Sequence, residues 1–506
     1  MQSIKYLQLQ TENNMNKEER IKRIKEITDK KTEWKQQIPW KGSLEPMPVY
    51  DIPLDLLVYN KYNGRILSRT KSLENQKQKI DVESDSGKKI IEKLLWFSKE
   101  ERNKKTQISI ANFGQQKVGI ITKDGIIIDG NRRAMLLNDI QNDGALSKRK
   151  LPKKYNYFKA VVLPITLEEN PIEIEELETK FQMGEDEKLG YNATEKYLKA
   201  KEIYLRLTKS SQIKLSELND EAIKKIADWM GESNSEVRKY MSTMVLMDEY
   251  LNYLEYDGIY TQLDKGEDQF LSLTKWLNTF YGSESKKGFD GYDDTDVDDL
   301  KTIAFDYIRL RGTSGQGNYD GKEFRNLAEG NKDKHFFGNK DIWENFSSKH
   351  YEISDKIPEE REVDFNSNNL EKHLNARDNE FFESSKFGKK ESEFIENLKE
   401  SKTDVGHNKA SDAPEKLVKN ASRAFDAIKT GHSSFARPDV QNLVEELGTK
   451  VIGSLTARSP SKVLGHIINL LESIDIDKIP DSEVEDVKSI SKKISSYCYH
   501  NFDKGL

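Results

Sequence analysis

Residues 126–137 (IIIDGNRRAMLL) put Asp129 and Gly130 between a β-branched run and a helical pattern that opens near Asn131. That order suits an anion. Gly130 allows a tight backbone turn, and the first N–H groups of a helix have no intrahelical acceptor. The helix dipole favours negative charge at that end, and Arg132 and Arg133 add two permanent cations with forked donors. Met135, Leu136 and Leu137 supply the buried side of the helix. The same residues also suit an ordinary strand-to-helix turn whose arginines pair with nearby acids, and residue type alone does not separate the two.

A second constellation lies at 222–251 (AIKKIADWMGESNSEVRKYMSTMVLMDEYL). Ala227, Gly231 four residues on and Val237 ten residues on have the packing arithmetic of a helix-turn-helix. Ile226 and Met230 face inward from the first helix, Val245 and Leu246 extend the apolar face of the second, and Ser233 or Asn234 can cap it. The exposed face then carries Asn234, Ser235, Arg238, Lys239 and Ser242, which suit phosphates and base edges. A helical hairpin without DNA contact has the same spacing, and Glu232 and Glu236 flank the reading face.

These sites need a scaffold of several domains, because 506 residues exceed one compact core. A hydrophobic fraction of 35% beside 33% charged residues is polar but foldable. The net charge of −6 excludes a polybasic coat, so DNA contact must come from local patches. Cys498 is the single cysteine, which excludes an internal disulfide or a thiolate zinc site and suits a reducing cytoplasm. No apolar run reaches membrane-spanning length, and the N-terminus lacks a signal-peptide core. All seven histidines (His335, His350, His373, His407, His432, His466 and His500) lie in the second half. Chemistry before them must rest on carboxylates, Lys, Arg, hydroxyls and bound Mg²⁺.

The expected fold class is α+β: a small mixed domain followed by mostly helical ones. Residues 1–47 read as a basic helix (17–37, with an Ile21, Ile24, Ile27 stripe) and a Pro-containing linker. That helix either lies on phosphates or docks by its Ile stripe. Residues 48–165 read as mixed, with a helix at 86–98, a hairpin turning at Asp124-Gly125 and a strand at 159–165. Residues 166–255 read as helical, 256–383 as mixed or helical, 384–415 as a linker with a short helix around Phe394–Leu398, and 416–506 as a helical module. Residues 282–299 read as an acidic linker without EF-hand spacing. The Gly-rich stretch 312–321 matches a phosphate loop only in the Gly312/Gly317 spacing, because Asn318 stands where the Lys belongs.

Residues 129–134 (DGNRRA) resemble the Gly-x-Arg-Arg box of ParB-like proteins of the ParB/sulfiredoxin superfamily. Residues 52–66 (IPLDLLVYNKYNGRI) are similar to that family's first box, with Asn60, Asn63 and Arg65 at its polar positions. Residues 177–198 (LETKFQMGEDEKLGYNATEKYL) resemble its third box, with Gln182 at the glutamine position. The three boxes come in the family's order and cover, with the helix-turn-helix, about 48–255. The resemblance implies a nucleoside triphosphate, CTP or ATP with Mg²⁺, held by Arg65, Gly130, Asn131, Arg132, Arg133 and Gln182. It also implies DNA as partner and nucleotide-gated DNA engagement. Thr179-Lys180 stand where hydrolysing relatives have Glu-Asn, so slow or absent hydrolysis is expected. With no cysteine before 498, sulfiredoxin chemistry is excluded. The C-terminal module is expected to form a homodimer or hold a partner protein.

Two other classes stay open. One is a Mg²⁺-dependent nuclease or nucleotide hydrolase of the kind found in mobile-element and phage-defence systems, using carboxylates among Asp129, Glu178, Glu185, Asp186 and Glu187. The other is a non-enzymatic adaptor with a vestigial nucleotide site.

Overall fold

The computed structural model describes residues 15–76, 79–142, 153–183, 192–264, 266–281, 287–312, 321–365, 369–409, 414–456 and 459–504. The fold is α+β: a five-stranded sheet near the N-terminus, followed by helices. The chain divides into two compact units, 1–409 and 410–506.

The first unit opens with α1 (Lys17–Thr28), β1 (Lys35–Trp40), β2 (Ser43–Pro53), α2 (Leu67–Asn75), α3 (Asp85–Ser98) and α4 (Glu100–Phe113). There follow β3 (Gly119–Ile121), β4 (Ile127–Asp129), α5 (Asn131–Asn142), β5 (Tyr157–Val162) and α6 (Pro171–Met183). The strands lie in the order β1-β2-β5-β3-β4, antiparallel except for the parallel β3–β5 pair. Neighbouring strand residues point to opposite faces. Ile121, Ile127 and Ala160 therefore join a core with α1, α3, α4 and α5, while Ile120, Ile128 and Val161 join another with Ile174 and Leu177 of α6. That sandwich fixes both ends of β4, and with them the turn into α5.

Two expectations for this region are corrected. The first helix stops at Thr28 instead of running to 37, and residues 35–53 form a β-hairpin where a linker was expected up to 47. Pro39 is tolerated on the edge strand β1, and Pro46 and Pro48 in the part of β2 that pairs with β1 alone. The basic helix docks by its stripe: Ile24 is buried, and Arg20 donates to the Asp124 carbonyl (2.6 Å) and pairs with Glu83 (2.7 Å). The hairpin at Asp124-Gly125, the helix near 86–98 and the strand near 159–165 stand where they were expected.

A single helical core then runs from Tyr197 to Val405. It is built from α7 (Ala193–Thr208), α8 (Asp220–Met230), α9 (Asn234–Tyr253), α10 (Glu267–Lys275), α11 (Asp294–Gly312), the short α12 (Gly321–Phe324), α13 (Lys340–Ser354), α14 (Leu370–Ser384) and α15 (Glu393–Lys409). The expected division near 255 is therefore absent from the packing. The short helix expected around Phe394–Leu398 is present but longer: α15 runs to Lys409 and buries Phe394, Ile395 and Leu398 against the body, which corrects the linker reading there. The acidic stretch 282–299 ends in helix: Asp293 and Asp296 cap α11 reciprocally, and its first turn carries Asp294 and Asp296, where the dipole favours acids. Residues 282–286 of that stretch, and 313–320 of the Gly-rich one, lie outside the described residues.

The α/β part is bolted to the helical body through α2 and α7. Ser68 donates its N–H (2.9 Å) and hydroxyl (2.6 Å) to the buried Glu195 carboxylate, and Arg69 lies 3.8 Å away. Burial pushes the Glu195 carboxyl from 4.5 up to about 7; the Ser68 donors and Arg69 oppose the shift, and Asp264 adds to it. A raised carboxyl pKa stabilises the fold fully below the unfolded value and loses that contribution as pH rises through about 7. The shift corresponds to roughly 3 kcal/mol. Wild type is thus expected to lose thermal stability between pH 5 and 7.5 relative to Glu195→Gln. Parallel melting curves across that range would refute the assignment.

The second unit carries α16 (Pro414–Asp426), α17 (Pro438–Thr456), α18 (Pro460–Glu472) and α19 (Val484–Cys498), the helical module expected there. No described helix in the chain is long and apolar enough to cross a membrane.

Candidate anion-binding cleft and helix-turn-helix

The turn before α2 is built by two asparagines. Asn60 Oδ1 accepts from the Tyr62 N–H (3.0 Å), and Asn63 Oδ1 accepts from the Arg65 N–H (3.2 Å). These side-chain turns aim Arg65. Asn131, buried at the start of α5, accepts from the Asn60 N–H (3.0 Å) and donates to the Ile127 carbonyl (3.2 Å), stitching the turn to the start of β4. Gln182 of α6 donates to the Ile128 carbonyl (3.0 Å). Three stretches far apart in sequence thus meet around β4.

They enclose a cleft of about 310 Å³. Arg65, Gly130, Asn131, Arg132, Arg133 and Gln182, all six residues singled out from the sequence, line it. Asn131 and Gln182 spend polar atoms on backbone groups, which makes them positioning residues at least as much as ligands. Arg102, Thr106 and Ser109 of α4 and Lys117 beyond it also line the cleft, and the sequence reading missed them. Their signal was present: 102, 106 and 109 fall on one helical face.

Charge defines what the cleft can hold. Among the described lining residues are five cations, Arg65, Arg102, Lys117, Arg132 and Arg133, and one carboxylate, Asp129. Asp129 is taken by Arg133 (2.6 Å), which also donates to the Val118 carbonyl (3.3 Å). The Arg132 guanidinium reaches Ser98 Oγ at 3.5 Å, and its buried Nε has no partner. Burial, then repulsion from Arg65, Arg102 and Arg133, lowers its pKa from 12.5 to about 10. Clustered cations held partly out of water are stabilised by a bound anion.

Gly130 has φ +110°, and a Cβ there would lie 2.5 Å from Phe158 Cζ and 3.1 Å from the Arg133 guanidinium. Phe158 is fully buried and cannot retreat. Gly130→Ala is expected to cost about 2–4 kcal/mol, from the strained φ and the clash together. An unchanged melting temperature would show that the turn is not under this constraint.

The other carboxylates proposed for metal do not gather here. Glu178 is wholly buried, accepts from Asn63 Nδ2 (3.4 Å) and pairs with Lys199 (3.3 Å), which also pairs with Glu175 (3.3 Å). Burial raises its pKa more than Lys199 lowers it. Glu178 therefore ties the Asn63 turn to α7. Thr179 buries a hydroxyl without a partner, and Lys180 pairs with Glu176 (2.5 Å). Glu185, Asp186 and Glu187 lie outside the described residues. Among the described residues no three His, Cys, Asp or Glu side chains cluster as a metal site.

The second constellation is a helix pair. Gly231 (φ +69°) closes α8, and Ser233 caps α9 by accepting from the Glu236 N–H (3.1 Å). Ile226, Ala227, Met230, Val237 and Leu246 are buried as expected, while Val245 is only partly covered. Asn234, Ser235, Arg238 and Lys239 are exposed and Ser242 half-buried on one face of α9. Ser235, Arg238, Lys239 and Ser242 line a cleft of about 590 Å³ with Lys275, Arg325, Asp268 and Glu329. Arg238 pairs with Asp220, Lys239 with Glu236 (3.6 Å), and Glu329 with both Lys275 (3.4 Å) and Arg325 (3.3 Å). The first cleft has one carboxylate beside five lining cations; this one has two beside four. Glu232 does not crowd it, being ion-paired with Lys196 of α7.

No protein-family model, curated protein or solved structure matches the chain.

Proposed function

We propose that this chain is a DNA-binding protein whose grip on DNA is gated by a nucleoside triphosphate, CTP or ATP with Mg²⁺, held in the cationic cleft. The observation that carries the reading is the convergence of Arg65, Gly130, Asn131, Arg132, Arg133 and Gln182, drawn from three separate stretches of sequence, on a cleft with four more cations than carboxylates among its described lining residues. Arg65, Arg102, Lys117, Arg132 and Arg133 would hold the phosphates. Mg²⁺ would offset phosphate charge, and Asp129 is the lining carboxylate within its reach. The exposed face of α9 would meet DNA. Its ion pairs are exposed and worth about 0–1 kcal/mol each, so Arg238 and Lys239 can trade their carboxylates for phosphates.

The gating has a physical route. Arg65 sits just before α2, α2 is held to α7 by Ser68 and Glu195, and the next residue, Lys196, is paired with Glu232 in the turn between α8 and α9. A ligand that pulls Arg65 therefore loads the element that braces the DNA-reading pair. A cytoplasmic location goes with this reading.

Calorimetry with the four Mg²⁺-nucleoside triphosphates, with and without duplex DNA, tests it. One triphosphate is expected to bind more tightly than its monophosphate and to change DNA affinity. DNA affinity indifferent to every nucleotide would end the gating proposal, and no triphosphate binding would end the cleft assignment.

A further inference from the structure

The exposed face of α9 does not stand free. Four of its residues line the cleft of about 590 Å³, and Asp268, Leu271, Ser272 and Lys275 of the neighbouring α10 line it too. Both sets fall at i, i+3, i+4 and i+7, so each helix offers one face along about 10 Å of its length. Arg325, in the turn after α12, and Glu329 complete the charged part of the lining. Spread over that length, the volume leaves a cross-section about 8 Å across, too narrow for a duplex, whose major groove alone is about 12 Å wide.

The chemistry of the lining narrows what can enter. Leu271 is the single apolar side chain among the described lining residues, and the others carry charge, hydroxyl or amide. A protein partner would call for an apolar centre. A sugar-phosphate strand calls for Arg, Lys, Ser, Thr and Asn, which is what the cleft has. Lys275 and Arg325 are exposed, and both pair with the more covered Glu329, at 3.4 and 3.3 Å. Such pairs are weak, so phosphates can displace the carboxylate.

We propose that α10 and the turn after α12 form a second wall of the DNA site, in which Lys275 and Arg325 hold the strand that Arg238 and Lys239 hold from α9. The proposal rests on the DNA reading of α9 and extends it to a part of the chain outside the helix pair. One strand carries a charge per roughly 3.4 Å of duplex axis, so about three phosphates pass along the cleft, facing four cations. Asn234 is not among the lining residues, so it stays outside with the groove while the backbone lies within. Glu329 is the resident counter-charge: it holds Lys275 and Arg325 in place in the free protein and repels the strand that replaces it.

The test measures duplex binding by the full chain across a salt series. Lys275→Ala/Arg325→Ala is expected to weaken binding at least about tenfold and to shrink the slope of log affinity against log salt by about two, with preference among sequences unchanged. Glu329→Gln is expected to tighten binding about fivefold at low salt, the Coulomb effect of one charge at about 4 Å in water. That arm stands even if the double variant misfolds, because a misfolded protein does not gain affinity. Unchanged affinity and slope in the double variant, a shift in its sequence preference, or no gain from Glu329→Gln would overturn the proposal. So would a poly-Glu peptide that needs Lys275 and Arg325 when duplex DNA does not, which would assign the wall to an acidic protein. In each of these cases loss of binding in Arg238→Ala/Lys239→Ala would leave the DNA reading of α9 standing. A wild type that binds no duplex would end that reading and this one together.

Discussion

Replacing Arg132 and Arg133 together by alanine is expected to weaken triphosphate binding at least about tenfold, since each charge-assisted contact is worth roughly 1.5–3 kcal/mol. The two arginines should not contribute alike. Arg132 is crowded by Arg65, Arg102 and Arg133 and has only a long contact to Ser98. Its loss relieves repulsion, so Arg132→Ala should bind the anion poorly yet melt no lower than wild type. Arg133 holds Asp129 and the Val118 carbonyl. Its loss releases a carboxylate into the cleft, so Arg133→Ala should lower both affinity and stability. Calorimetry with Mg²⁺-triphosphates and thermal unfolding of the three variants separate these effects. Unchanged affinity in the double variant would remove the cleft from consideration as a phosphate site.

The Arg238→Ala/Lys239→Ala variant is expected to bind short duplexes at least about tenfold more weakly. The slope of log affinity against log salt should shrink by about two, because each phosphate contact releases close to one counterion. Both side chains are exposed on α9, and their present partners, Asp220 and Glu236, are exposed too. No buried charge is stranded by the change, so the fold should persist. Asn234 is exposed in the first turn of α9, and on the proposed reading it meets a base edge. Asn234→Ala should alter preference among sequences by about 1–3 kcal/mol at one position and leave the salt slope alone. A gel-shift series in which the double variant matches wild type would return α8 and α9 to a purely structural role.

The local elements that carry the site were legible because their signals are short-range. Gly130 before two arginines, Ser233 as a cap and Gly231 between the two helices act within a few residues. What could not be read was long-range. The Pro-bearing run 38–47 looks like a linker until β1 and β2 pair and β5 gives β2 its second partner. The polar run 384–415 looks like another, broken by a short helix, until Phe394, Ile395 and Leu398 meet the helical body and α15 runs on to Lys409. The acidic start of α11 was hidden for a different reason: its carboxylates are spent on capping and dipole, which composition alone reads as solvated loop.

The sequence alone determined the chemistry available to this protein: paired arginines after a glycine turn, a capped helix pair, no early histidine, a single late cysteine. Those are properties of residue type and of spacing within one or two turns. Only the tertiary structure decided which charges stand together. It brought Arg102 and Lys117 to Arg132, a crowding that composition could not disclose because their partners are remote in sequence. It also buried Glu178 beside Lys199, taking away a carboxylate that residue type had offered for metal. Electrostatic free energy depends on distance and on exclusion of water, and both are fixed by packing between elements far apart along the chain.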